Sequence, residues 1–293
     1  MTPAEEHLAT RRAAGLFDFS FMGLYEFVGS AQLQQLQTRQ LADLEKGQIA
    51  YSLLLKPDGA VLIDATVWNL GGERYWLLAG RRAAYGGRDR SGELAILALQ
   101  GPASGRILAR LIGTDPVLAL KYFRFVEKQS LLVARLGYSG ELGYELLVPA
   151  AEAESLRRQL LQAGRGDGLA ECGWAAADSL RIEAGYVLFD REVDGRTNPA
   201  ELGLERLTGR TFSIRKRLVG LEIRDEQPLA TLPAAHITSE CVSPTFGKTI
   251  ALAYADPDAK PGAEVRLTGG RTGRVASLPF YDPGRRRPRG TPL

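Results

Sequence analysis

Between Arg135 and Val148 the chain reads RLGYSGELGYELLV, and this stretch limits its folding more than any other. Val133 and Arg135 read as the end of a strand. Gly137, Gly140 and Gly143 then punctuate a tight double turn, and Tyr144 to Val148 read as the returning strand. Glycine at every third position suits a backbone that folds back through positive φ and passes close to another group. The turn carries Tyr138 and the return strand carries Glu145. A ring and a carboxylate on a glycine-stiffened hairpin suit the grip of a flat, nitrogen-rich ligand. The plainer reading is a β-hairpin with ordinary turn glycines. The spacing is not the dinucleotide fingerprint, which needs G-x-G-x-x-G.

The 293 residues provide for two domains or more at the usual ~100–200 residues each. Hydrophobic content of 45% with 24% charged residues fits a soluble globular chain. No apolar run approaches the ~18 residues of a membrane span. The first residues, MTPAEEHLATRRAAG, are charged throughout and contain no apolar core of a secretory signal, so the cytoplasm is the expected compartment. Cys172 and Cys241 lie far apart, which excludes a disulfide framework and a C-x-x-C site. Net charge is +3, and Arg285, Arg286, Arg287 and Arg289 near the C-terminus account for the surplus. Such a tail suits nucleic acid, a phosphate or a polyglutamate, or is simply a solvated, frayed end.

In chain order, a helix is expected over Ala4–Ala14 and a strand with an irregular start over Leu16–Val28. A second helix is expected over Ala31–Leu44, where Leu33, Leu36 and Leu41 fall near one face. Strands follow over Ile49–Leu55, Val61–Leu70 and Arg74–Ala79, with Pro57–Asp58–Gly59 as a strong turn. Leu94–Leu99 reads as a strand and Ala103–Ile112 as a helix. Tyr122–Phe125 and Ser130–Leu136 read as strands leading into the opening motif. Ala151–Ala163 and Trp174–Ala184 read as helices. From about Arg217, strands near Leu218–Ile223, Ala234–Ser239, Thr249–Ala255 and Glu264–Leu267 predict a small all-β terminal domain.

Familiar catalytic constellations are missing. His7 and His236 are the only histidines, too few for a histidine metal cluster. No G-x-S-x-G elbow supports a serine triad. Phe246–Gly247–Lys248–Thr249 ends like a P-loop, but Val242 stands where its first glycine belongs. Chemistry on this chain falls to carboxylates, tyrosines and arginines.

The Arg135–Val148 stretch closely resembles the GYTGExGFE turn of the folate-binding aminomethyltransferases, the T-protein of the glycine cleavage system and its relatives. The likeness extends along the chain. EEHLATRRAAGLFDFSFMG (Glu5–Gly23) is similar to EHxAVRxxxGLFDxSHMG, and Gly47–Tyr51 to GxxxY. PDGAVLIDATV (Pro57–Val67) is similar to NxxGGxxDDLxV, and LQGPAS (Leu99–Ser104) to the QGP turn before a helix. DSLRIEAGYVLFDREVDGRTNPAELGL (Asp178–Leu204) resembles RLEAGxxLYGxDxDxxTxPxEAGL. ITSECVSPTFGKTIALAYA resembles VTSGxxSPTLxxxIALAYV, and Pro279–Phe280–Tyr281 matches a terminal PFY. The KGCYxGQE motif of the related iron–sulfur maintenance branch has no counterpart.

The resemblance implies a three-lobed α+β fold. A first folate-binding lobe would comprise 1–26, 93–123 and 147–206, and a second, ferredoxin-like lobe 27–92, 124–146 and 207–216. A C-terminal small β-barrel domain would comprise 217–293. It also implies one-carbon transfer, methylene or methyl from an amine or similar donor, to N5 of tetrahydrofolate without a metal. A lipoyl-carrying protein is the implied partner, and neither nucleic acid nor membrane is implied. Asp64 falls on the second carboxylate of the family's DD pair and becomes the catalytic candidate, while Ile63 replaces the first. Tyr51, Tyr138 and Glu145 fall on positions lining the pterin site, and Tyr122 falls on another ligand-side tyrosine. Arg286 or Arg287 falls where a C-terminal arginine reaches the folate. Arg181 and Glu183 also match, and a helical Arg–Glu pair is usually structural. Ala79 stands in place of a ligand-contacting Asn, Ala177 in place of a folate-contacting Arg, and Phe21 in place of the His of SHMG. Three readings follow: a folate-dependent transferase, a non-catalytic folate or pterin binder, and a scaffold that kept the fold.

Overall fold

The computed structural model describes residues 1–224 and 231–293. In the first half of the chain, α1 (Pro3–Arg12) precedes β1 (Ala14–Asp18), β2 (Gly23–Val28), α2 (Ala31–Leu36), β3 (Ile49–Leu55), β4 (Val61–Gly71), β5 (Arg74–Ala79), β6 (Arg88–Asp89) and β7 (Leu94–Gln100). Next come α3 (Ser104–Ile112), α4 (Thr114–Ala119), β8 (Phe125–Lys128), β9 (Leu131–Ala134), β10 (Gly143–Pro149), α5 (Ala153–Gly164), β11 (Leu169–Glu171), α6 (Trp174–Glu183) and α7 (Phe189–Glu192). The chain continues through β12 (Arg217–Arg224), β13 (His236–Ser243), β14 (Lys248–Ala255), β15 (Glu264–Leu267) and β16 (Arg271–Ala276). Two compact units result. The first comprises 1–54, 63–177 and 286–293, and the second 55–62 and 178–285.

The first unit holds two sheets. One has the order β11-β1-β7-β10-β9-β8. Its alternation is plain on β10, where Tyr144, Leu146 and Val148 join a core with Leu97, Leu99, Ile107, Leu108 and Leu160. Glu145 therefore emerges on the other face. The second sheet has the order β3-β4-β5-β2-β6. On β4, Val61, Ile63, Ala65 and Val67 are buried while Leu62, Asp64 and Thr66 keep some exposure. Ile63, at the first position of the family's carboxylate pair, thus points into apolar core, where an ionised group is costly.

Three expected elements come out differently, the first being the strand expected over Tyr122–Phe125, which forms instead over Phe125–Lys128 as β8. The single strand over Leu16–Val28 is two strands, β1 and β2, in different sheets. The Asp18 carboxylate accepts the Ser20 N–H and the Met22 N–H donates to Phe19 O, so a turn wins over extension. The helix over Ala31–Leu44 stops at Leu36. Gln37 accepts the Arg39 N–H and Gln34 accepts the Leu41 N–H, and these side chains take donors a longer helix would need. Both α4 and β16 lacked a clear periodic signal and were not anticipated.

The second unit is built on the sheet β13-β14-β12-β16-β15. Its edges meet, because Ala234, just before β13, bridges Arg266 on β15. Closure removes the open edges and gives the expected small barrel. Within this unit Arg181 donates to Asp178, Glu192 and Ser239, while Glu183 accepts from Ser243 and Thr245. Arg181 and Glu183 therefore act as structural ties, in line with the structural reading of the pair. Both are fully buried, and each ties α6 to the barrel.

Candidate functional site

The glycines of the opening stretch have two distinct jobs. Gly140 alone of the three has a left-handed backbone, at φ +79. Gly137 and Gly143 instead leave room for Gln100. A Cβ at either would lie 1.9 or 2.3 Å from its side-chain amide, too close for any real contact. Gln100 in turn accepts a hydrogen bond from Ser139 Oγ at 2.8 Å and donates to Leu136 O. The GYSGELGYE turn and the QGP turn are thus two halves of one packed knot, which fixes where β10 begins and where Glu145 stands.

Glu145 is 5% exposed, opposite Ala98 on one side and Ala134 on the other. Small neighbours leave its carboxyl without a cation, and burial pushes its pKa up to about 7. Asp64 behaves alike on the second sheet. It keeps partial exposure, yet its dense surroundings raise its pKa to about 7, against a smaller downward pull from the Tyr51 hydroxyl. Tyr51 Oη donates to Asp64 Oδ2 at 3.0 Å and so orients the carboxyl. Two carboxyls poised near neutrality, one of them held by Tyr51, suit proton exchange and recognition of a ligand rich in N–H donors.

The remaining expected residues gather around the C-terminal segment, all within the first unit. Arg287 donates to Glu141 Oε2 at 3.3 Å, and Arg289 lies over the Tyr122 ring at 5.8 Å. Arg135, 5% exposed, donates to the carbonyls of Leu120, Pro288 and Gly290. Pro288 and Pro292 are buried and Arg135 holds the backbone at 288 and 290, so the segment is anchored rather than frayed while its arginine side chains stay solvated. Arg286 is exposed. Tyr138 is partly exposed beside Ser139 of the knot. Among the described residues the structure joins Tyr51 to Asp64 and Arg287 to Glu141, whereas no hydrogen bond links Asp64 to Glu145. Ala79 and Ala177 are both buried.

Sequence reading missed Arg11 and Glu141. Arg11 Nη1 donates to Glu141 Oε1 at 3.1 Å and to Ser139 O, pinning α1 to the knot with both side chains inaccessible. Its signal was available in EEHLATRR, but helical arginines are so often surface groups that it did not stand out. Arg11→Ala removes the buried cation beside Glu141 and leaves it the half-exposed Arg287. It is expected to cost about 3–5 kcal/mol, read as a lowered midpoint in a denaturant melt.

The family described as "GCVT N-terminal domain" matches residues 2–211, and "Glycine cleavage T-protein C-terminal barrel domain" matches 216–282. An aminomethyltransferase from Rubrobacter xylanophilus is 35% identical, with 97% of this chain and 88% of that protein covered. One from Symbiobacterium thermophilum is 34% identical, covering 97% and 90%. The crystal structure of the glycine cleavage system aminomethyltransferase T from Bartonella henselae superposes with TM-score 0.79 at 28% identity, over 96% of this chain and 90% of that one. The mixed α+β architecture and terminal barrel expected from the sequence are borne out. With a family match across both units and relatives aligned over nearly their full length, the chain belongs to the glycine cleavage T-protein, or aminomethyltransferase, family.

Proposed function

We propose that this protein transfers a one-carbon unit from an aminomethyl group, borne by a lipoyl-carrying protein in the cytoplasm, to N5 of tetrahydrofolate. The observation that carries the reading is the pair of carboxyls, Asp64 and Glu145, each raised to about 7 and neither beside a cation. Glu145 and Tyr138 take the pterin, whose ring N–H and amino groups match a carboxylate that burial has left without donors. Tyr51 and Tyr122 flank the same ligand. Arg286, exposed, and Arg287, held by Glu141, receive its glutamate end.

In the transfer the N5 lone pair bonds the aminomethyl carbon as one of its two carbon–heteroatom bonds breaks and N10 bonds it as the other breaks, so that nitrogen leaves as ammonia and sulfur as the carrier thiol, which take up the two protons lost from N5 and N10. Positive charge develops at the reacting nitrogen. Asp64, ionised and held by Tyr51, stabilises that charge. No metal enters the scheme, and among the described residues no group of three or more His, Cys, Asp or Glu is placed to hold one. The same reading keeps 217–293 as a C-terminal lobe, whereas 125–146, expected with 27–92, joins the sheet of β1 and β7 through β8, β9 and β10.

Calorimetric titration with 5-formyltetrahydrofolate tests the binding half. Donors on the ligand favour the ionised form of Glu145, so affinity is expected to rise from pH 6 to about 7 and to level above it, with protons released on binding. Absence of binding by folded protein at millimolar folate would remove both the transferase and the binder readings.

A further inference from the structure

The turn at Asp58, with residues 196–198 and 212–215, lines a cavity of about 340 Å³ that lies wholly within the second unit. That volume falls in the ~300–1,000 Å³ range of small-molecule sites. The walls are fixed by the chain itself. Asp58 Oδ1 accepts the Ala60 N–H at 3.0 Å and closes the turn. Gly59 has a left-handed backbone, at φ +86, and a Cβ there would lie 3.2 Å from the Phe212 ring. Lys56 Nζ donates to Gly195 O and Val61 N–H to Thr197 O, so both flanks of the turn are tied to residues 195–197. Asn198 donates to Ser213 O at 2.8 Å and accepts the N–H groups of Ala200 and Glu201. Arg215 donates from Nε and Nη2 to Glu201, which is fully buried, and from Nη2 to Arg196 O. A cavity so held loses little entropy when a ligand enters it.

Two charges at this cavity are uncommitted. Glu201 neutralises Arg215 but leaves its Nη1 free to donate. Arg196 is exposed and bonds through its backbone, N–H to Asp194 and O from Arg215, while its guanidinium has no partner among the described residues. Asp58 has no cation at ion-pair distance among the described residues, although both arginines line the same cavity. Opposite charges that share a cavity without pairing suit a ligand that meets both. A plain anion would meet repulsion from Asp58, and a plain cation repulsion from Arg196. Phe212 adds an apolar wall.

We infer that this cavity binds a free α-amino acid with an apolar side chain. Its carboxylate lies on Arg196 and Arg215, its ammonium on Asp58 and its side chain against Phe212. None of these residues is assigned to folate, so the site stands or falls apart from the function proposed above.

Calorimetric titration of the full-length protein with L-leucine and L-phenylalanine tests it. The comparison ligands are 3-phenylpropionate and 2-phenylethylamine, which each keep the ring and one of the two charges. At least one amino acid is expected to bind with a millimolar or lower Kd, and both one-charge ligands about tenfold more weakly than L-phenylalanine or worse. Arg196→Ala and Asp58→Asn alter exposed side chains, and the asparagine keeps an acceptor for the Ala60 N–H. Both should leave the thermal melt unchanged and weaken amino-acid binding about tenfold, with affinity for 5-formyltetrahydrofolate within about twofold. Absence of binding of either amino acid by the folded protein overturns the site. Binding of 3-phenylpropionate as tight as that of L-phenylalanine also overturns it, since it marks a plain anion site. Parallel losses of folate affinity in the two variants would place the cavity in the folate site and overturn it as a separate one.

Discussion

Asp64→Asn is expected to lower turnover by ~10²-fold or more while folate affinity stays within a few fold. The substitution keeps size and an acceptor for the Tyr51 hydroxyl, so the bond at Oδ2 is retained. Only the charge is lost. A charge that meets positive character developing at N5 acts mainly in the transition state, which is why kcat falls and binding does not. Measured kcat and Kd, each corrected for folded fraction, separate the outcomes. Equal turnover in the two proteins would remove Asp64 from the mechanism.

Glu145→Gln is expected to move stability and affinity in opposite directions. The folded state holds the Glu145 proton more tightly than the unfolded chain, with a pKa of about 7 against 4.5. Between those values the folded protein binds more protons, so its stability falls as pH rises and levels off above about 7. The ionisation cost at pH 8 is on the order of 3 kcal/mol, and glutamine escapes it. The variant should therefore melt higher than the unaltered protein at pH 8 and at nearly the same temperature at pH 4. Asp64 contributes a fall of the same sign in both proteins, so the difference between them isolates Glu145. Folate affinity should drop about tenfold or more, because a charge-assisted pair of hydrogen bonds becomes a neutral one. A lower melting point at pH 8 with folate affinity intact would mean that Glu145 braces the knot.

The parts of the fold legible in the sequence were those with local signals. Strands β3 and β5 fell on their expected residues because alternation and turn glycines bound them on both sides. The break between β1 and β2 was illegible, since it depends on the Asp18 side chain capturing a backbone N–H inside an otherwise strand-like run. At the site, Tyr51 and Asp64 were singled out separately, and their hydrogen bond is a property of sheet register. The glycine spacing was read as conformational freedom throughout. For Gly137 and Gly143 the reason is Gln100, more than thirty residues away in the chain, which no local pattern reveals. The Arg-rich tail likewise looked unstructured until Arg135 and Glu141, remote in sequence, supplied its partners.

The most direct measurement follows ammonia and methylenetetrahydrofolate in a single turnover, with an aminomethyl-dihydrolipoyl carrier protein as donor and tetrahydrofolate as acceptor. The proposed transfer predicts both products in equal amounts, with ammonia release dependent on folate and accelerated by this protein. Folate shown to be bound, with no folate-dependent ammonia above the uncatalysed rate, would contradict it and identify the protein as a folate binder without this activity.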